Sequence, residues 1–445
     1  MKAFLSRLFR LKSGESKLVL ILGVLLFSNS LARQISDVVA VSGFLSTVGP
    51  NRILLVWLVD MGLTMALAGV QSLFVDRFNR RNLMGGMCFA YALLLLILRL
   101  LFAFQVPSGI NYTLLYLLAE QQLLFFPLVF WILANDILTL AQAKRLFPII
   151  ATGNFAGQIL GLAIAAIFPT FANYFGLQVE ELLLLNVAIY LSAYGILQTG
   201  LNDFLLRPTQ RKSGNLLETL TEGGGFVREV LSFRYLTLAI IAINICLTIF
   251  EFRFLVVSNE SFPDFYSYQR FYSLYRLGLI TVAWFVQAFL TSRILEFLSL
   301  KNSFFLLPLA QAIASIGMIV FPGAIGGIGG FSLSKVAQLT IDESARKSMQ
   351  SLVPLERRGR VSLFMDSYLF ATGTIIGCII TGAIVWLGHG QRSGYFYIYL
   401  AIAVLTSLFT LWSIWQMRKY YDVSLLNWRL KRRQRGQSVI DKLKF

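Results

Sequence analysis

Twelve apolar runs, each about 20 residues long, follow one another along almost the whole of this 445-residue chain. A helix of that length crosses the ~30 Å hydrocarbon core of a bilayer. The runs fall approximately at 18–40, 51–73, 82–104, 112–138, 147–168 and 181–202, then at 235–257, 268–292, 303–321, 324–345, 362–387 and 395–416. The tenth, rich in glycine and polar residues, is the weakest of them, as expected of a helix facing a water-filled cavity. With 57% hydrophobic and 14% charged residues, the chain has too little polar surface for a soluble fold of this size. An all-α polytopic membrane protein is the fold class that remains.

A net charge of +17 raises the question of nucleic acid, and the distribution answers it. The Lys and Arg residues sit at both ends and in alternate connections. The exceptions are Arg52, Arg270 and Arg392 in the other loops or at the run ends beside them, and Arg33, Arg99, Arg253, Arg276 and Lys335 inside the runs. That asymmetry follows the positive-inside rule and predicts both termini on the cytoplasmic side, as in a bacterial inner membrane or an equivalent internal membrane. No contiguous basic patch is left for nucleic acid. The tail cluster Arg429, Lys431, Arg432, Arg433 and Arg435 suits anionic lipid headgroups. The basic start before residue 18 lacks a small-residue cleavage site, so the first run reads as a retained span.

The longest break, Asp203 to Arg234, divides the chain six spans from six. The expected organisation is a basic N-terminus (1–17), a six-helix bundle (18–203), a cytoplasmic linker (204–234), a second bundle (235–416) and a basic tail (417–445). Basic loops recur at matching places: Asp76 to Arg81 after the second span and Arg293 to Lys301 after the eighth. Lys144-Arg145 follows the fourth, and Arg346-Lys347 the tenth. Duplication of a six-helix bundle accounts for this, as in many secondary transporters.

The string Asp76-Arg77-Phe78-Asn79-Arg80-Arg81 resembles the signature between the second and third helices of the major facilitator superfamily, although Ser72 and Asn79 stand where glycine is common. Phe130-Trp131, Ala134-Asn135, Ala143-Lys144-Arg145-Leu146-Phe147-Pro148 and Gly153-Asn154 look like the ATP/ADP carrier branch of that superfamily. Ser292-Arg293-Ile294-Leu295 before Lys301 resembles the matching loop of the second half. The resemblance implies two six-helix bundles around a central cavity, lined by helices 1, 2, 4, 5, 7, 8, 10 and 11, and nucleotide exchange by alternating access. It carries none of that branch's substrate-binding lysines and glutamates onto named positions here. Asp76, Arg77, Arg81, Lys144, Arg145 and Arg293 are the expected inner-gate residues, with Asp76 holding the outward-facing state.

An ionisable group at the bilayer centre costs roughly 2.5–3.5 kcal/mol on insertion scales and is normally paired or wet. Asp60, Glu120, Arg276 and Lys335 fall near the middle of their runs; Arg33, Asp37, Glu251 and Arg253 fall in the outer third. All eight lie on helices expected to face the cavity, with Asn154 and Gln158 as neutral companions. Arg276 and Lys335, with Arg33, form the expected binding site for a small anionic solute, because Arg offers a planar fork to phosphate and Lys a point charge. Asp37, Asp60, Glu120, Glu251 and Arg253 are candidates for coupling or ion pairing. Arg33 and Asp37 can pair along one helix at i,i+4 spacing, and Asp60 and Glu120 can neutralise Arg276 and Lys335. The eight charges sum to zero, so two further functions stay open: a proton-coupled exporter using Asp60 or Glu120, and a carrier-like scaffold. A spare cation would favour transport.

No Walker-type glycine loop is present, and Cys88, Cys246 and Cys378 lie singly in three runs, without metal-ligand spacing. Neither an enzyme nor a cofactor is expected. His389, beside Gly388 and Gly390, reads as a solvated loop residue.

Overall fold

A computed structural model of the chain describes residues 15–74, 79–201, 224–350, 353, 355–388 and 394–442. Among them, twelve long helices follow one another. They are α1 (Glu15–Thr47), α2 (Ile53–Phe74), α3 (Arg80–Ala103), α4 (Ser108–Ile137), α5 (Leu140–Phe175) and α6 (Leu182–Gly200), followed by α7 (Leu231–Ser261). Then come α8 (Phe265–Leu298), α9 (Leu300–Val320), α10 (324–350), α11 (355–387) and α12 (Tyr395–Lys442). No strand occurs among the described residues. Eleven of these helices are long and apolar enough to cross a membrane; α10, the polar tenth span, is the one that is not.

Several helices outrun the apolar runs that announced them. Helix α1 continues to Thr47 rather than stopping near residue 40. Its continuation carries Ser42, Gly43 and Ser46, which read as a loop in sequence, but Ser42 and Gly43 are buried against protein. Protein contacts supply what lipid cannot, so polarity does not end the helix. The stretch Ala143 to Leu146, expected as a loop before the fifth run, is helical. Thr139 and Gln142 start α5 with a reciprocal capping box, each satisfying the other's backbone N–H. Asn79 caps α3 by accepting from the Arg81 amide at 3.0 Å.

Helices α8, α10 and α11 each contain one π-turn: Val286–Leu290, Gln338–Asp342 and Phe364–Leu369. A π-turn holds one extra residue and leaves backbone groups without their usual partner, which is why such turns concentrate at working positions.

The chain forms two compact units. The first comprises 1–56, 71–213 and 262–278, and the second 57–70, 214–261 and 279–445. The middle of α2 therefore clusters with the second unit, and the first part of α8 with the first.

In the first unit α1 is central and packs on α4, α5 and α6, while α3 packs on α4 and α6. In the second unit α7 is central and packs on α10, α11 and α12, while α9 packs on α10 and α12. The second pattern is the first with six added to each helix. The apolar stretches of α1 and α7 are each 78% buried, against at most 44% for the other spans.

Glycines allow the closest of these contacts. A Cβ at Gly153, Gly157 or Gly161 of α5 would lie 2.4, 2.4 and 2.7 Å from the α1 carbonyl oxygens of Gly23, Phe27 and Leu31. In the second unit a Cβ at Gly373 of α11 would lie 2.6 Å from the Ile241 carbonyl of α7. Lipid offers no hydrophobic drive between helices, so small residues that bring backbones together do the packing.

Candidate functional site

Helix α1 presents a ladder of polar side chains to its neighbours in the first unit. Tyr190 of α6 donates to Asn29 Oδ1 at 2.8 Å, and Asn29 donates to the Gln122 carbonyl of α4 at 3.2 Å. Ser30 donates to Asn154 Oδ1 on α5. Asn186 of α6 donates to the Ala32 carbonyl at 2.9 Å and to Ser36 Oγ at 3.0 Å. Gln158, half-buried, lies one turn beyond Asn154 on α5. These bonds fix the rotation of α1, and with it the direction of its charges.

Asp37, 3% exposed, pairs with Arg276 of α8, with Arg276 Nη2 3.0 Å from Asp37 Oδ2. The same nitrogen donates to Gln34 Oε1 at 3.3 Å, and Nη1 donates to Tyr272 Oη at 3.0 Å. Gln269, fully buried, donates to the Ala165 carbonyl of α5 at 3.0 Å and ties this part of α8 to the first unit. The i,i+4 pair of Arg33 with Asp37 is not made. Arg33 has no carboxylate within 4 Å among the described residues, and its Nε is buried without a hydrogen-bond partner.

Because α1 runs to Thr47, Arg33 and Asp37 lie fourteen and ten residues before its C-terminal end. Both belong to the middle of their helix, as Arg276 does.

In the second unit, Lys335 of α10 is half-buried, with its ammonium 6.0 Å from the centre of the Phe331 ring and no carboxylate within 4 Å among the described residues. Arg253 is 8% exposed; it donates to the Pro322 carbonyl and lies 4.1 Å from the centre of the Phe396 ring. Glu251, two residues before Arg253 and half-buried, makes no ion pair among the described residues. Asp60, buried, falls in the second unit; Glu120, half-buried, falls in the first, and each is engaged by neighbours. Arg276 and Lys335 thus belong to different units.

Arginines tie the start of α5 to the start of α1, and the start of α3 to the ends of α4 and α6. Arg145 of α5 reaches both oxygens of the buried Glu15 of α1, at 2.7 and 2.9 Å. Arg80 of α3 pairs with Asp136 of α4 at 3.2 Å, and Arg81 donates to the carbonyl and the side-chain oxygen of Gln198 on α6 at 2.7 and 3.2 Å. Arg293 is exposed on α8. Asp76, Arg77 and the side chain of Lys144 lie outside the described residues.

A cluster in the second unit escaped the sequence reading. Arg346 bridges Asp342 at 2.8 Å and Asp366 at 3.4 Å; Asp366 also takes Lys347 at 2.6 Å and Gln350 at 2.9 Å. It joins α10 to α11 beside their π-turns. The available signals were the i,i+4 spacing of Asp342 and Arg346, and a lone acid, Asp366, inside the eleventh apolar run.

Twelve long helices in this order, with α1 and α3–α6 packed as α7 and α9–α12 are, make an all-α membrane protein of the major-facilitator type. The chain belongs to the TLC ATP/ADP transporter family, whose model matches residues 87–326. Solved structures agree on the fold. The nucleoside transporter NupG superposes with a TM-score of 0.64 at 13% identity, covering 91% of this chain and 99% of NupG. The peptide transporter PepTSo gives 0.61 at 11% identity, covering 91% and 98%. A bacterial homologue of the human lysosomal transporter Spinster gives 0.56 at 15% identity, covering 94% and 99%. No curated protein sequence matches the chain. The protein is a multi-pass integral membrane protein and a secondary transporter.

Proposed function

We propose that the protein moves a small anionic solute across its membrane by alternating access, with nucleotides and other phosphorylated metabolites as the first substrates. Family membership supports nucleotides. The observation that carries the anionic preference is Arg33, a cation in the middle of α1 with a buried, unpartnered Nε beside the Arg276–Asp37 pair. A charge held without a carboxylate at this depth is costly unless a ligand or water meets it. Lys335, likewise without a carboxylate, supplies a second such cation in the second unit. A scaffold would gain nothing from unneutralised cations. The charge asymmetry supports cytoplasmic termini, and anionic lipids are the expected partners of the basic tail.

Uptake of labelled nucleotides and sugar phosphates into liposomes containing the purified protein tests this reading. A charge-assisted contact is worth roughly 1.5–3 kcal/mol, so losing one should raise the half-saturation concentration about tenfold to a hundredfold. Lys335→Gln removes the charge and keeps polarity. Arg276→Lys keeps the charge and loses the planar fork. Full transport by both variants at matched protein levels overturns the anion site.

A further inference from the structure

Where α3 closes and α4 opens, residues of the first unit line an open cavity of about 410 Å³. Its walls are the α3–α4 turn, the α5–α6 connection and the first residues of α8, all of them in that unit. The volume lies in the range of small-molecule sites. No Lys, Arg or His lines it, and its one charged side chain is that of Glu180.

A chain of contacts holds this carboxylate in place. A Cβ at Gly43 of α1 would fall 2.1 Å from the Tyr112 ring. The glycine therefore lets this α4 tyrosine into the packing, where it is 4% exposed. The Tyr112 hydroxyl donates to Glu180 Oε1 at 2.5 Å. Phe102 and Phe265 have ring centres 5.0 and 6.3 Å from that of Tyr112, and the Tyr266 ring lies 5.4 Å from Phe265. Three aromatic rings and a carboxylate thus share one cavity.

The neighbouring charges leave Glu180 unneutralised. Glu181 takes Arg99 at 2.5 Å, whereas Glu180 has no ion pair among the described residues. A phenol hydroxyl satisfies a carboxylate lone pair but supplies no counter-charge. Gln105, Ser108 and Gln178 add oxygen acceptors to the wall. Gln105 has a left-handed φ of 57°, a state unfavourable for any residue but glycine, and such outliers gather at ligand sites. These groups match an ammonium. The acid neutralises it, the oxygens take its N–H donors, and ring faces attract the cation.

We propose that this cavity binds an organic primary ammonium, independently of the transported solute. Two membrane spans meet there, α3 by its end and α4 by its start, which puts the cavity at the level of lipid headgroups. The ammonium therefore comes from a free amine or from an ethanolamine phospholipid. Bound there, it bridges the α3–α4 turn to the start of α8 and stabilises the first unit.

Thermal unfolding of the purified full-length protein in detergent, titrated with 2-phenylethylamine and its neutral isostere 2-phenylethanol, tests the site. The amine should raise the melting temperature saturably, and the alcohol should need at least about tenfold more for the same shift. Glu180→Gln keeps an acceptor for Tyr112 and removes the charge, so it should weaken the amine about tenfold and leave the alcohol unchanged. Tyr266→Leu should weaken the amine about threefold, while Tyr266→Phe, which keeps the ring face, should not. If Glu180→Gln does not fold, the two Tyr266 variants carry the test. Short-chain phosphatidylethanolamine and phosphatidylglycerol separate the sources. A response only to the ethanolamine lipid, lost in Glu180→Gln, identifies a headgroup; an amine response with no preference between the lipids identifies a free amine. An amine response untouched by Glu180→Gln and Tyr266→Leu overturns the site, as does the absence of any response to the amine and to the ethanolamine lipid. Either failure leaves the transport reading untouched.

Discussion

Asp342 and Asp366 share Arg346, but their surroundings make them unequal partners. The Asp342 side chain is 3% exposed and that of Asp366 is 28% exposed, with Lys347 and Gln350 in reserve. Breaking a buried pair leaves an uncompensated charge and costs about 3–5 kcal/mol, whereas a wet pair is worth about 1 kcal/mol or less. Asp342→Asn should therefore lower the melting temperature in detergent clearly more than Asp366→Asn. Thermal unfolding of the two variants side by side checks the order, and equal shifts would show that water reaches Asp342. The same comparison of surroundings separates Arg276, paired with Asp37, from Arg33 and Lys335, which have no carboxylate within 4 Å among the described residues.

At the scale of helices, the α1–α5 contact rests on glycines whose Cβ would strike backbone. At Gly157 the obstacle is the Phe27 carbonyl at 2.4 Å, and a main-chain atom in a packed helix cannot swing aside as a flexible side chain can. Gly157→Leu should abolish the monodisperse peak in size-exclusion chromatography or lower the melting temperature by more than any other single substitution on α5. Gly195 on α6 has open space where its Cβ would point. Gly195→Ala should leave the melting temperature unchanged or slightly raised, because Ala favours a helix by about 0.8–1.0 kcal/mol over Gly. A large loss at Gly195 would mean that another surface packs there. The π-turns concern the same scale: beside two of them Gln287 of α8 donates to Ser344 of α10 at 3.2 Å, so side chains join helices where their backbone ladders are broken.

For the whole molecule, the positive-inside rule predicts an orientation that labelling can check. Single cysteines at Ser108, which opens α4, and at Ser213, within the linker outside the described residues, report opposite faces. Ser108 should label with an impermeant thiol reagent from outside intact cells, and Ser213 only after the inner face is opened. Labelling in the reverse order would invert the topology and place the inner ion pairs on the outer face. The native cysteines Cys88, Cys246 and Cys378 are buried, so their background in this experiment is small.

The helical membrane fold and the order of its long helices were determined by the sequence alone. Hydrocarbon satisfies no backbone group, so an apolar run of about 20 residues has little choice but a helix. Basic loops recorded the orientation expected and the repeat. Where protein replaced lipid as the surroundings, that logic failed: Ser42 and Gly43 continue α1, and Ala143 to Leu146 belongs to α5. Pairing was decided only by the tertiary structure. Arg33, Asp60 and Glu120 offered charges as plausible in sequence as those of Arg276 and Asp37. An ion pair depends on separations of a few ångströms between residues far apart in the chain, and those are set by how α1 and α8 are rotated. Gln34, Tyr272 and Gln269 perform that rotation and positioning, and nothing in their residue type or spacing announces the part.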